Sequence, residues 1–262
     1  MNKPTLKKYY VLLTSICFFI LHIPFVFAKN KPFNEIKPQS PKMETGGVRG
    51  DSLLTLARTR IHSTAASIYD SMRLNLIGLS QQSFDYAIQG FNYLVETGKL
   101  VNDKVISIVD FSLPSSQKRL FVIDLENYKV LFNTYVAHGR QSGTLMANQF
   151  SNIPESLQSS LGFYETQGTY NGHNGYSMRL EGLEHGINDN AGNRSIVMHG
   201  ADYVNEGMIK SRGYIGRSWG CPALPPQLNK PIIDKIKNGS CLFIYSPDKS
   251  YLNKSKILNA AA

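Results

Sequence analysis

The chain has 262 residues, 28 of them Lys or Arg against 19 Asp or Glu, for a formal net charge of +9. No block of Lys or Arg and no basic-aromatic strip follows from that excess, which excludes a surface that tracks a nucleic-acid backbone. No internal repeat or low-complexity segment is visible, and three cysteines are too few for a disulfide scaffold.

Residues 1–28 carry Lys3, Lys7 and Lys8, no acid, an apolar run from Val11 to Ile23, and a Val-Phe-Ala ending at Ala28. This is the pattern of a cleaved secretory signal. An uncleaved anchor is the alternative, but the run is short for a span and is interrupted by His22 and Pro24. Cys17 follows Ile16 rather than a small residue, which argues against lipidation there. Membrane contact is therefore expected only in transit, and the protein outside the cytoplasm, in the periplasm or elsewhere in the envelope. Removing the three lysines of the first 28 residues from the 28 basic and 19 acidic side chains leaves a net charge of +6. A modest excess of that kind suits an anionic polymer.

Residues 29–63 form a flexible Pro/Lys-rich linker by composition, with Pro32, Pro38, Pro41 and the Gly46-Gly47 pair. Over 64–102 the apolar residues fall at helical spacing, first Ala65, Ile68, Met72 and Leu76, then Phe84, Ala87, Ile88, Phe91 and Leu94. Ser80 is an N-cap candidate and Gly98 a stop signal, so a helical hairpin is expected.

From residue 103 to 247 the pattern changes to short β-type runs, near 105–110, 119–124, 130–138, 162–170, 176–180, 195–199 and 240–245. Pro225 opens one helix running to about Lys237. The fold class is mainly β, a compact sandwich or barrel with one short helix, and residues 248–262 are a polar C-terminal tail.

Chemistry concentrates between Ser195 and Leu224. Cys221 stands between Gly220 and Pro222, and His199 precedes Gly200 upstream. A cysteine is nucleophilic as its thiolate, and an imidazole within reach can take its proton. Pro222 has no N–H, so oxyanion donors must come from Cys221 or the residues just before it, Ser218 to Gly220. Each residue alone also has a structural reading, as a small buried apolar cysteine and a strand-end histidine. Cys241, in the apolar run Cys241-Leu-Phe-Ile-Tyr245, is expected to be a buried inert thiol; a disulfide with Cys221 would consume the nucleophile. His138, His173, His185 and His199 lack short ligand spacing, so no metal is expected. Arg179, Arg194 and Arg217 are candidates for gripping a carboxylate, with Arg217 favoured by its closeness to Cys221.

The segment Arg217-Ser-Trp-Gly-Cys-Pro-Ala resembles the catalytic motif of the murein L,D-transpeptidases of the YkuD type, in which a His is followed by Ser/Thr-His-Gly-Cys. It is similar to a branch that carries Trp in that motif. The likeness extends through Val136-Ala-His-Gly-Arg140, Phe150-Ser-Asn152, Ser159-Ser-Leu-Gly-Phe163, Tyr170, Gly175-Tyr-Ser-Met-Arg-Leu-Glu-Gly182 and Asn188-Asp-Asn-Ala191, roughly residues 85 to 246. Trp219 stands where a second His is usual, and Ala223 where Arg or Asn is usual. The resemblance implies an L,D-transpeptidase-like sandwich or barrel and a cysteine acyltransferase that acts on peptidoglycan stem peptides as a monomer and without a cofactor. Cys221 and His199 would do the chemistry, with Ser218 and Gly220 shaping the turn. Arg217, Trp219, His138, Tyr176 and Arg194 would contact substrate. An L,D-carboxypeptidase on the same site and a non-catalytic wall-binding protein are the alternatives.

Overall fold

The computed structural model describes residues 64–260. The expected signal and linker, residues 1–63, lie outside the described residues.

Helix α1 spans residues 64–71 and ends where Arg73 adopts a left-handed backbone (φ 52°). The apolar spacing had carried this helix to Leu76. A 3-10 turn, Leu74–Ile77, instead turns Leu76 outward (73% exposed) and buries Leu74 and Leu79. Helix α2, Gln81–Glu96, starts at Ser80, whose Oγ accepts from the Ser83 amide and donates to Asp110. Its buried face is the one its spacing foretold: Phe84, Ala87, Ile88, Phe91 and Leu94. Gly90 lets the helix approach the sheet, because a Cβ there would sit 2.0 Å from the Phe163 ring.

Eight strands follow: β1 Asn102–Asp110, β2 Leu120–Asp124, β3 Lys129–Thr134, β4 Gly162–Gly172, β5 Gly175–Gly182, β6 Val197–Gly200, β7 Ala223–Leu224 and β8 Ser240–Tyr245. They form one sheet in the order β3-β2-β1-β8-β4-β5-β6-β7. β1–β8 and β6–β7 are parallel; the other pairs are antiparallel. Beyond β3 the chain turns back to the far edge, where Ala137 pairs with Ala223 and Gly139 with Ser218. The protein is thus mainly β, with a nearly closed, barrel-like sheet.

Strand β8 is buried along its whole length, as a central strand covered on both faces must be. Phe243 stacks on Phe163 at 4.2 Å between ring centroids, and Cys241 is fully buried and free. A smaller cluster, Ala137, Ala201, Val204, Ile215 and Ala223, lies where the two ends of the sheet meet.

Two segments depart from expectation. Helix α3, Glu206–Arg212, was missed beside the expected helix α4, Pro226–Ile236; it buries no residue, so no apolar period announced it. The residues read as a polar tail form α5, Lys249–Lys254, and α6, Lys256–Ala260. They bury Tyr251, Ile257 and Leu258 in the hydrophobic core, and polar groups add to that anchorage. The buried Glu184 carboxylate accepts from Tyr251, Ser255 and the Phe163 amide, and Gln89 donates to the Leu258 carbonyl.

Candidate active site

Cys221 lies on the turn that leads into β7. Ser218 organises that turn, its Oγ accepting from the Gly220 amide (3.1 Å) and donating to the Cys221 carbonyl (2.6 Å). Gly220 sits at φ +125°, and a Cβ there would lie 2.7 Å from the Gln158 carbonyl oxygen and 3.1 Å from Ile196. Both backbone conformation and space demand glycine. Beneath the turn, Ser159 Oγ donates to the Gly220 carbonyl and accepts from the Gly139 amide, and Ser142 in turn accepts from the Ser159 amide. Replacing Gly220 with alanine is expected to cost about 1–3 kcal/mol, from overpacking and backbone strain together. Thermal denaturation against Gly168→Ala, where a Cβ meets nothing within 4 Å, checks this; equal melting temperatures would refute it.

His199 comes from β6. It lies opposite Ser177 of β5 on one side and Ala223 of β7 on the other, which brings it to the same cavity as Cys221. Its Nδ1 lies 2.9 Å from the Gly200 carbonyl oxygen. A carbonyl can only accept, so Nδ1 carries the hydrogen and Nε2 keeps its lone pair. Burial lowers the imidazole pKa, opposed in part by the Gly200 carbonyl. Burial likewise raises that of the Cys221 thiol, opposed by the Val197 amide and Arg194.

The sequence expectation of a thiol hydrogen-bonded to His199 is not met in this arrangement. The Cys221 sulfur instead accepts from the Val197 amide at 3.5 Å and donates to the Ser195 carbonyl at 3.6 Å. With both groups pushed toward their neutral forms, a backbone carbonyl is an adequate acceptor for S–H. Ser195 is held in the left-handed region (φ 52°), a conformation that costs a non-glycine residue on the order of 1 kcal/mol and aims its carbonyl at the sulfur.

The cavity has a volume of about 850 Å³. It gathers Cys221, His199, Ser218, Trp219, Arg217 and Arg194 from the expected set. His138 and Tyr176, expected as substrate contacts, are not among its lining residues. His138 is fully buried. Arg119 donates to its Nδ1 at 2.7 Å, so Nε2 carries the hydrogen toward the Gly143 carbonyl. Burial and the Arg119 charge push its pKa down to about 3. Tyr176 turns to α4 instead, donating to Asp234 and accepting Asn229 Nδ2 on its backbone carbonyl.

Trp219 is 71% exposed, so it is not a packing residue. Arg217 spends Nη1 on the Arg140 and Gly143 carbonyls and turns toward the Tyr214 ring. Arg194 is engaged more fully: Nη1 donates to Ser151 O and Ser160 Oγ, and Nη2 to Gln158 O and Ser156 Oγ. Arg179 lies elsewhere, over the Tyr170 ring. Sequence reasoning missed His173, Ser195, Asp202, Tyr203 and Asn229, all of which line the cavity. His173 and Asn174 reach it from the tight β4–β5 turn, bracketed by Gly172 and Gly175, which was a legible hairpin signal.

A thiol and an imidazole with a free Nε2 at one cavity can carry out thiol-dependent acyl transfer. The chain belongs to the L,D-transpeptidase catalytic-domain family, whose profile matches residues 76–245. No curated protein sequence gives a significant match. Among solved structures, the chain is similar to an L,D-transpeptidase from Mycobacterium smegmatis, with 13% identity and TM-score 0.34 over 55% of this chain and 59% of that one. It is also similar to the helical cell shape determining protein Pgp2 from Campylobacter jejuni, with 15% identity and TM-score 0.38 over 67% and 60%. An L,D-transpeptidase from Stackebrandtia nassauensis matches with 15% identity and TM-score 0.34 over 63% and 67%. The chain spans about three-fifths of the length of the first of these.

Proposed function

We propose that the protein is an exported cysteine L,D-transpeptidase acting on peptidoglycan tetrapeptide stems. The observation that carries this reading is the meeting of Cys221 with His199, its Nε2 unprotonated, in one cavity of a chain whose family is that of L,D-transpeptidase catalytic domains. His199 Nε2 takes the thiol proton as sulfur attacks the carbonyl carbon between the third residue, an L-centre, and D-Ala at position four. The C–N bond breaks, D-Ala leaves with the proton returned by the imidazolium, and a thioester remains. An amine of a neighbouring stem then attacks the thioester, gives its proton to His199 and frees the thiol.

Oxyanion stabilisation falls to fewer amides than the sequence offered. The Gly220 N–H is held by Ser218 and Pro222 has none, which leaves those of Trp219 and Cys221. Arg217 is the group for a substrate carboxylate, since its Nε and Nη2 have no partner among the described residues. Trp219, exposed at the rim, offers a face for the stem to stack on.

Incubation of purified protein with tetrapeptide-bearing muropeptides, read by mass spectrometry, tests the reading. Cross-linked dimers support it, tripeptide monomers mean an L,D-carboxypeptidase, and unchanged substrate means a binding protein. Export is tested separately: protein from its native envelope is expected to begin near Lys29, and an intact mass that retains residues 1–28 would mean an anchor.

A further inference from the structure

We infer that Arg194 is the positive partner of the ionised Cys221 sulfur, a positioning residue whose charge favours the thiolate where no imidazolium does. This deepens the reading of Cys221 as nucleophile and rests on it.

The first ground is an uncancelled charge. Every acceptor that holds the Arg194 guanidinium is neutral: two backbone carbonyls, Ser151 and Gln158, and two hydroxyls, Ser156 and Ser160. Such partners fix the position of the charge without neutralising it. Among the described residues no ion pair includes Arg194, and Nε is buried without a hydrogen-bond partner.

The second ground is position. Arg194 and Cys221 line the same cavity, and Nη2 lies 3.3 Å from where a Cβ on Gly220 would stand. The guanidinium therefore runs directly beneath the residue before the thiol. The next residue, Ser195, supplies the carbonyl that accepts the thiol hydrogen, so one dipeptide supplies both that acceptor and the cation. The Val197 amide adds a second positive pole at the sulfur.

The third ground is the condition of the alternatives. His199 makes no hydrogen bond to Cys221, and burial keeps it neutral. The other ionisable groups on the cavity wall are His173, Asp202, Tyr203 and Arg217. Arg217 is held by the 140–144 segment, and burial, together with Cys221, raises Tyr203 to about 12, which keeps it an uncharged phenol. Tyr164, which also bears on the guanidinium, is buried and neutral as well. Glu155, the acid in the gripped loop, makes no ion pair among the described residues.

The test needs no substrate. Iodoacetamide alkylates the thiolate, iodide leaving as the C–S bond forms, and the rate against pH, read by mass spectrometry on the Cys221 peptide of the full chain, gives a midpoint for thiol ionisation. Arg194→Gln is expected to raise that midpoint by about one unit or more, the scale of an opposite charge close by. Arg194→Lys keeps the charge but loses the two-pronged grip, so its midpoint should stay below that of Arg194→Gln while both variants lose thermal stability. Identical midpoints for the two variants, or no rise in Arg194→Gln, would reduce Arg194 to a loop anchor and overturn the inference. His199→Ala is the independent measurement should neither variant fold. A midpoint within about 0.3 unit of the parent supports Arg194, and a rise of about one unit or more would make the imidazole the partner and overturn it. Because no muropeptide is used, failure of turnover would leave this result standing.

Discussion

Cys221→Ala is expected to abolish thioester formation and turnover on muropeptides, whereas Cys241→Ala keeps most of both. The two thiols differ in setting. Cys221 is partly exposed at the cavity, with an amide at its sulfur and a cation beneath the preceding residue. Cys241 lies in the fully buried strand β8, where burial and the nearby Glu184 raise its thiol far out of reach of ionisation. Its replacement should cost stability through a small cavity rather than activity. Intact-mass spectrometry of each variant with substrate decides between them: an acyl adduct on folded Cys221→Ala would place the nucleophile elsewhere.

His199→Ala is expected to lose about 10²–10⁴-fold in turnover, the usual scale for a general base, while Trp219→His retains measurable activity. An indole has an N–H donor and no basic nitrogen, so Trp219 cannot accept the thiol proton. His199 has the free Nε2, fixed by the Gly200 carbonyl at Nδ1. Equal collapse of both variants, with folding confirmed by circular dichroism, would show that the 218–220 turn takes part in proton transfer. The Cys221 contacts to Ser195 and Val197 add a requirement: the thiol proton must leave the Ser195 carbonyl before it reaches the imidazole.

The parts of the molecule legible in the sequence are those written in local pattern. Apolar runs marked seven of the eight strands, and the i, i+3, i+4 spacing from Phe84 to Leu94 marked the buried face of α2. The missed strand, β7, has two residues, too few for any period. Cys221 and His199 stood out because glycine adjoins each, and Gly220 proves to be required by its φ and by the Gln158 carbonyl.

What was not legible depends on partners far along the chain. His138 was expected to contact substrate through the resemblance, yet its surroundings are set by the buried Arg119, 19 residues earlier. Arg194 looked like a free carboxylate grip, and the loop that consumes its donors lies 34–43 residues upstream. The C-terminal helices were read as a tail because Lys249 to Lys254 is polar. Their anchors are three scattered apolar residues, Tyr251, Ile257 and Leu258, and hydrogen bonds to the distant Glu184 and Gln89, which no local period reveals.

The place of β8 has a consequence for how the chain can acquire its shape. It is the last strand in sequence, yet it sits between β1 and β4, pairing Ile108 with Phe243 on one side and Phe163 with Phe243 on the other. Until residues 240–245 have been synthesised, β1 and β4 each present an unpaired apolar edge, and among the described residues only the β-bridges of Ala137 and Gly139 to Ala223 and Ser218 link the β1–β3 side of the sheet to β4–β7. Such edges invite pairing with other chains. The contacts that join the halves are among the most distant in sequence, so closure is a late and slow event on the folding path. A chain interrupted before residue 240 is an aggregation hazard rather than a smaller working domain.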